Sequence, residues 1–149
     1  MTTPLLVSDL MRDEGLRLAA YPDPSSGGDP WTIGYGHTGA DVTARTVWTG
    51  SEAADTLIED IAIAQSELDE KLPWWRTLDD VRQDVMVEMA FNLGVEGLLG
   101  FQRTLAAVQV GRWATASADM LLSAWAGEVG PRATRLAAMM RTGSRGGGG

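Results

Sequence analysis

The chain has no cysteine, so no disulfide can staple it and no thiolate can act as nucleophile or metal ligand. It has a single histidine, which excludes a multi-histidine zinc site. No apolar run is long enough to span a bilayer. Residues 1–7 lack a basic region and a full apolar stretch, so a secretory signal is not expected. Positive charge is scarce: 12 Lys and Arg face 20 Asp and Glu, giving a net charge of -8. Phosphate recognition needs lysine and arginine patches, so nucleic acid is not an expected partner. The same balance argues against docking on an anionic membrane. Apolar residues are not scarce. They make up 44% of 149 residues, enough for the core of one ordinary domain.

The pattern predicts a small sheet first and helices afterwards. Ser8 is placed to cap a short helix through Leu10, Met11 and Glu14 that stops near Gly15. Residues 16–21 and 32–35 are strand-like, and the Pro, Ser, Gly and Asp between them suit a hairpin loop. Residues 42–47 are expected to add a third strand. Thr49-Gly50-Ser51-Glu52 is a capping box. Behind it Ala54, Leu57, Ile58, Ile61, Ala64, Leu68 and Leu72 recur at helical spacing, which predicts a long amphipathic helix ending before Pro73. Its acidic residues sit mostly off the stripe and are read as a solvated face. A second helix opens at residues 77–80 and is expected to stop at Gly94. Further helices are expected over 101–110, 113–126 and 131–141, the last with Pro131 in its first turn. This is an α+β protein with a small N-terminal β-sheet lobe and a helical C-terminal lobe joined by a long helix. Residues 1–142 form one domain of two lobes, and 143–149 are a flexible glycine-rich tail.

The chemistry is concentrated early. Glu14, Asp23 and Thr32 offer two carboxylates and a hydroxyl within one segment, followed by the glycine-spaced strand Gly34-Tyr35-Gly36. Cutting a glycosidic bond requires one carboxyl to give a proton and a second group to handle water. Taken singly, each residue has a structural explanation. An acid at a helix end is usually solvated, an Asp after Tyr-Pro forms turns, and threonine favours strands. His37 is read as a structural hydrogen-bonding residue, with Asp13 or another acid as its partner.

The ordered set is more specific than its members. Residues 12–18, then Tyr21-Pro22-Asp23, then Thr32-Ile33-Gly34-Tyr35-Gly36-His37, closely resemble the active-site region of phage-type lysozymes. These are the muramidase endolysins of glycoside hydrolase family 24. The resemblance continues through Phe91-Asn92-Leu93-Gly94, Gly100-Phe101, Trp125, Arg132-Ala133-Thr134-Arg135 and Arg141-Thr142-Gly143. It implies a lysozyme-like fold and cleavage, with inversion, of the β-1,4 bond between N-acetylmuramic acid and N-acetylglucosamine. It implies that Glu14 is the general acid, that Asp23 stabilises the cation or positions water, and that Thr32 orients the attacking water. Asn92 resembles a groove-lining amide, and Arg132 a C-terminal-lobe arginine that faces the glutamate. Tyr35, with Tyr21 and Trp31, offers an aromatic face to a sugar. Trp125 is read as core.

The implied partner is bacterial peptidoglycan, met by a monomer with no cofactor, no metal and no membrane insertion. The implied setting is the host cytoplasm, then the cell wall after release through a phage-made membrane pore. Two alternatives stand beside this. One is a non-catalytic peptidoglycan-binding or virion structural module of lysozyme fold, which would not need the proton donor. The other is a lytic transglycosylase, which needs only the acid. The loop 24–31 is longer than in the T-even phage enzyme and contains Asp29, a rival to Asp23 for the second carboxylate.

Overall fold

The computed structural model describes residues 4–145. Residues 1–3 of the N-terminal segment and 146–149 of the expected tail lie outside the described residues. The chain divides into two compact units, Met1–Ile63 and Ala64–Gly149, and the division falls inside the longest helix.

The N-terminal unit opens with α1, Pro4–Glu14, which buries Leu6, Asp9 and Leu10. It starts four residues before the expected cap at Ser8. Proline suits a first helical turn, where its missing N–H has no intrahelical partner to lose, so Ser8 lies inside the helix. The helix stops where expected. Gly15 takes φ 71°, and its N–H donates to the Met11 carbonyl at 3.1 Å.

The sheet is antiparallel, with β1 (Arg17–Tyr21), β2 (Thr32–Gly34) and β3 (His37–Thr38) in that spatial order. Its register pairs Arg17 with Gly34, Tyr21 with Thr32, and Thr32 with Thr38, with an irregularity between Arg17 and Tyr21. The third strand is therefore not the expected 42–47. There the Thr43 N–H donates to Thr46 Oγ1 at 2.8 Å, and the Thr46 N–H donates to the Thr43 carbonyl at 3.1 Å, which curls the chain into a turn. The chain beyond that turn lines the other edge of β1. Val47 bridges Ala19, Ala20 donates to the Thr46 carbonyl, and Trp48 donates to the Leu18 carbonyl. Gly34, at φ 66°, lies under the Trp48 ring: a Cβ there would stand 2.9 Å from Cζ3. Only glycine meets both demands.

The long helix α2, Gly50–Lys71, begins at the expected capping box. The Thr49 N–H donates to Glu52 Oε1 at 3.0 Å, and the Glu52 N–H donates to Thr49 Oγ1 at 3.1 Å. Ala53, Leu57 and Ile61 are buried, while Glu52, Asp55, Glu59, Glu67, Asp69 and Glu70 are exposed, as a solvated face requires. Asp60 is the exception and is described with the site.

The C-terminal unit is helical. After α2 comes a short 3-10 turn, Pro73–Thr77, that the sequence pattern did not indicate. It seats Trp75 in the core, with the indole N–H donating to Asp69 Oδ1 at 2.8 Å. Helix α3, Asp80–Leu99, is capped by Asp79, whose carboxylate accepts from the Arg82 N–H at 3.2 Å. Gly94 leaves helical geometry at φ 75°, ψ 155°, so the expected stop is there, but a further short helical piece follows it directly.

Then come α4 (Gln102–Gln109), α5 (Trp113–Leu122), α6 (Ala124–Val129) and α7 (Pro131–Thr142). The single helix expected over 113–126 is thus two. Ser123 adopts an extended conformation between them, its hydroxyl accepting from the Ala126 N–H at 3.3 Å and donating to the Met120 carbonyl at 2.7 Å. That local competition with the helix ladder is the usual effect of serine. Met86, Met89, Leu98, Met120, Leu136 and Met140 are buried in the core of this unit. Arg82 ties α3 to the end of α7, donating to the Met140 carbonyl at 2.7 Å and the Arg141 carbonyl at 3.1 Å.

Candidate active site

Glu14 is the last residue of α1 and is half-buried. The left-handed turn at Gly15 carries the chain from the helix straight into β1. The glutamate carboxyl lies against the backbone of the β2–β3 turn. A Cβ on Gly36 would stand 2.8 Å from Glu14 Oε1, and Gly36 itself sits at φ 81°. The glycine-spaced strand therefore has two separate reasons. Gly34 admits the Trp48 ring, and Gly36 admits the Glu14 carboxyl.

Thr32 opens β2 and is half-buried. Its neighbour Ile33 is wholly buried, so strand alternation turns Thr32 to the opposite face. Directly paired residues share a face of a sheet, which puts Tyr21 and Thr38 beside it. Asp23 lies two residues beyond Tyr21, half-buried, at the mouth of the loop. It organises that loop. Its Oδ1 accepts from the Ser25 N–H at 3.2 Å, its N–H donates to the Gly28 carbonyl at 3.0 Å, and its carbonyl accepts from Gly27 at 2.8 Å. Asp29 is exposed, and among the described residues its carboxylate makes no hydrogen bond or ion pair; only its backbone carbonyl is engaged, by the Ser26 hydroxyl. Tyr35 is half-buried between the two positive-φ glycines. Glu14, Asp23, Thr32 and Tyr35 all belong to the N-terminal unit and border one sheet.

His37 has the structural role expected of it, but its acids are not Asp13. Nδ1 pairs with Asp60 at 2.8 Å and Nε2 with Asp41 at 3.3 Å, and the ring lies 5.5 Å from that of Trp48. Burial opposes charge on this imidazole. The hydrogen bond and charge of Asp60, then those of Asp41, outweigh it and raise the pKa above the ordinary 6.5. Asp13 instead lies 3.7 Å from Arg12 Nε.

Asn92 and Arg132 belong to the C-terminal unit. Asn92 Oδ1 accepts the Trp125 indole N–H at 2.7 Å, which fixes the amide orientation and leaves its NH2 group as a donor. Trp125 is 4% exposed and meets Phe101 edge-on at 5.9 Å, so it is core, as read. Arg132 is half-buried in the first turn of α7. One turn later Arg135 Nη2 donates to Glu88 Oε1 at 2.8 Å. Glu88 has no exposed surface. Sequence reasoning did not single out Glu88. The signal was an acid set among the apolar residues Val85, Met86, Val87 and Met89, a place a carboxylate occupies only with a partner.

Comparison with known proteins follows from the same segments. The phage lysozyme family matches residues 11–141. The chain is 23% identical over 164 residues to probable T4-type lysozyme 1 of Dictyostelium discoideum, covering 93% of this chain and 95% of that protein. It is 31% identical over 159 residues to the pre-baseplate central spike protein Gp5 of Enterobacteria phage T4, covering 91% of this chain but 27% of that protein. It is 34% identical over 106 residues to the endolysin of Bacillus phage PZA, covering 71% of this chain and 40% of that one.

Proposed function

Because the chain belongs to the phage lysozyme family and is a glycoside hydrolase of the lysozyme type, we propose that it hydrolyses the β-1,4 bond between N-acetylmuramic acid and N-acetylglucosamine with inversion. Glu14 gives its proton to the leaving glycosidic oxygen. Asp23 stabilises the oxocarbenium-like charge and helps position water. The Thr32 hydroxyl orients that water for attack on the face opposite the leaving group. Inversion requires a water to fit between sugar and carboxylate, which is the geometry of widely spaced carboxyl groups, about 6.5–9.5 Å apart. Tyr35, Asn92 and Arg132 are the substrate contacts.

The observation that carries this reading is the Glu14 carboxyl held against Gly36, at the turn that follows Thr32 on the same strand pair. Similarity to a phage endolysin supports a role in host lysis; in this reading the protein reaches the wall through a separate membrane pore. Among the described residues no helix is long and apolar enough to cross a membrane itself.

The test is digestion of purified sacculi followed by mass spectrometry of the new sugar ends, with NMR of the first anomer formed. Reducing muramic ends of inverted configuration are expected. Anhydro ends would make the protein a transglycosylase, and intact sacculi would make it a binding module.

A further inference from the structure

The reaction uses neither Asp29 nor Trp31, and both border the same depression. It opens on the N-terminal unit between residues 29–31 of the long loop and residues 38–44, with a volume of about 580 Å³. That size suits a small ligand. Val42, 5% exposed, lines it together with Pro30 and Thr43. Three groups on its rim have no hydrogen bond to the chain among the described residues: the Asp29 carboxylate, the Trp31 indole N–H and the Thr38 hydroxyl. They are an acceptor, a donor and a group that can be either, beside an aromatic face. Thr38 is also the direct register partner of Thr32, so its side chain stands on the same face of the sheet.

We propose that this depression is an accessory saccharide site, which holds an N-acetylhexosamine ring of the glycan strand against Trp31. A pyranose ring has an apolar C–H face and a rim of hydroxyls, and the depression offers a complement to each. The indole face packs on the C–H groups, Asp29 accepts from ring hydroxyls, and the indole N–H and Thr38 bond the remaining oxygens. A lone ammonium group would engage Asp29 and leave the indole N–H and Thr38 idle. The site rests on the reading of the substrate as wall glycan. It also assigns Asp29 to binding rather than to a share of Asp23's task.

The test uses the full chain carrying Glu14→Gln, labelled with 15N, and chitotriose as the probe. The Trp31 indole resonance, identified with Trp31→Phe, is expected to shift saturably. Asp29→Ala, an exposed change that removes no packing, is expected to weaken the affinity read at that resonance about three- to tenfold. Thr38→Val is expected to weaken it in the same direction. A silent Trp31 resonance overturns the proposal, as does affinity indifferent to Asp29→Ala. An equal response to lysine amide would make this a cation site and overturns it too. Sacculus digestion by the unaltered protein separates this idea from the hydrolase reading. Digestion with a silent Trp31 rejects the accessory site alone. A Trp31 response without digestion supports the site and rejects the hydrolase.

Discussion

The two units hold their shape by different means. In the C-terminal unit, large apolar side chains fill the interior, and polar side chains inside it bond to one another and to the backbone. Glu88 is fully buried with Arg135, and the Ser117 hydroxyl donates to the Ala137 carbonyl at 2.8 Å. In the N-terminal unit, β1 has no buried residue at all, and its strands are five, three and two residues long. Leu6, Leu10, Ile33, Leu57 and Ile61 are buried in that unit, and the sheet is ordered further by backbone geometry and polar clamps: left-handed turns at Gly15 and Gly36, the capping box at Thr49, and His37 between two aspartates. Isolated sheets this small are marginal, so these local devices add to what the buried side chains supply. The difference suggests a division of labour. Changes in the N-terminal unit should act mainly on catalysis, and changes in the C-terminal unit mainly on stability.

The largest expected effect tests the first half of that statement. Glu14→Gln should lower sacculus digestion by about 10²–10⁴-fold, the range for a lost general acid. Circular dichroism and the thermal midpoint should stay close to those of the unaltered protein. A folded variant with full activity would remove Glu14 from the mechanism, and an unfolded one would erase the contrast between the units. The second half is tested by Met120→Ala in the helical core. Met120 has no exposed surface, and truncating it should cost about 2–5 kcal/mol in urea unfolding. Activity per folded molecule should survive. A loss below about 1 kcal/mol would mean that this core collapses around the cavity.

Gly36 lies where the contrast is sharpest, because one backbone position serves both order and chemistry. Alanine there meets two penalties: a φ of 81° that L residues rarely adopt, and a contact with Glu14 Oε1 at 2.8 Å. Strain of this kind costs about 1–3 kcal/mol. The collision also moves the carboxyl, so digestion by Gly36→Ala should fall further than its folded fraction measured by urea titration. Equal losses of both would make Gly36 a structural residue only.

These same positions explain what was legible in the sequence. The capping box, the glycine stop after α1 and the α2 stripe were readable because each is a local pattern with a local cause. Residues 42–47 read as a strand because two valines and two threonines satisfy strand propensity, while the turn between Thr43 and Thr46 depends on side-chain bonds that propensity does not register. The break at Ser123 escaped for the same reason. Glu14, Asp23 and Thr32 were legible as an ordered set. Why Gly34 and Gly36 alternate was not, since the Trp48 ring and the Glu14 carboxyl reach them only in the folded chain. The acids of His37 lay 4 and 23 residues along the chain, and nothing local distinguishes Asp60 from the other acids of α2.

The smallest effect concerns that histidine and carries a definite sign. The groups facing its ring are Asp60, Asp41 and the Trp48 indole. Folding raises its pKa above the ordinary 6.5 of the unfolded chain, so the folded state binds the proton more tightly. The resulting stability is fully present below about pH 6.5 and is lost as pH rises through the folded-state pKa. His37→Asn removes this contribution, so its deficit in urea unfolding should be largest near pH 5.5–6, where the carboxylates remain ionised, and should shrink on the alkaline side. A deficit that stays constant with pH would show that His37 acts by shape and neutral hydrogen bonding alone. A deficit that grows with pH would reverse the assigned charge. Either result would remove the favourable charge of the imidazole from what holds the sheet beside Glu14.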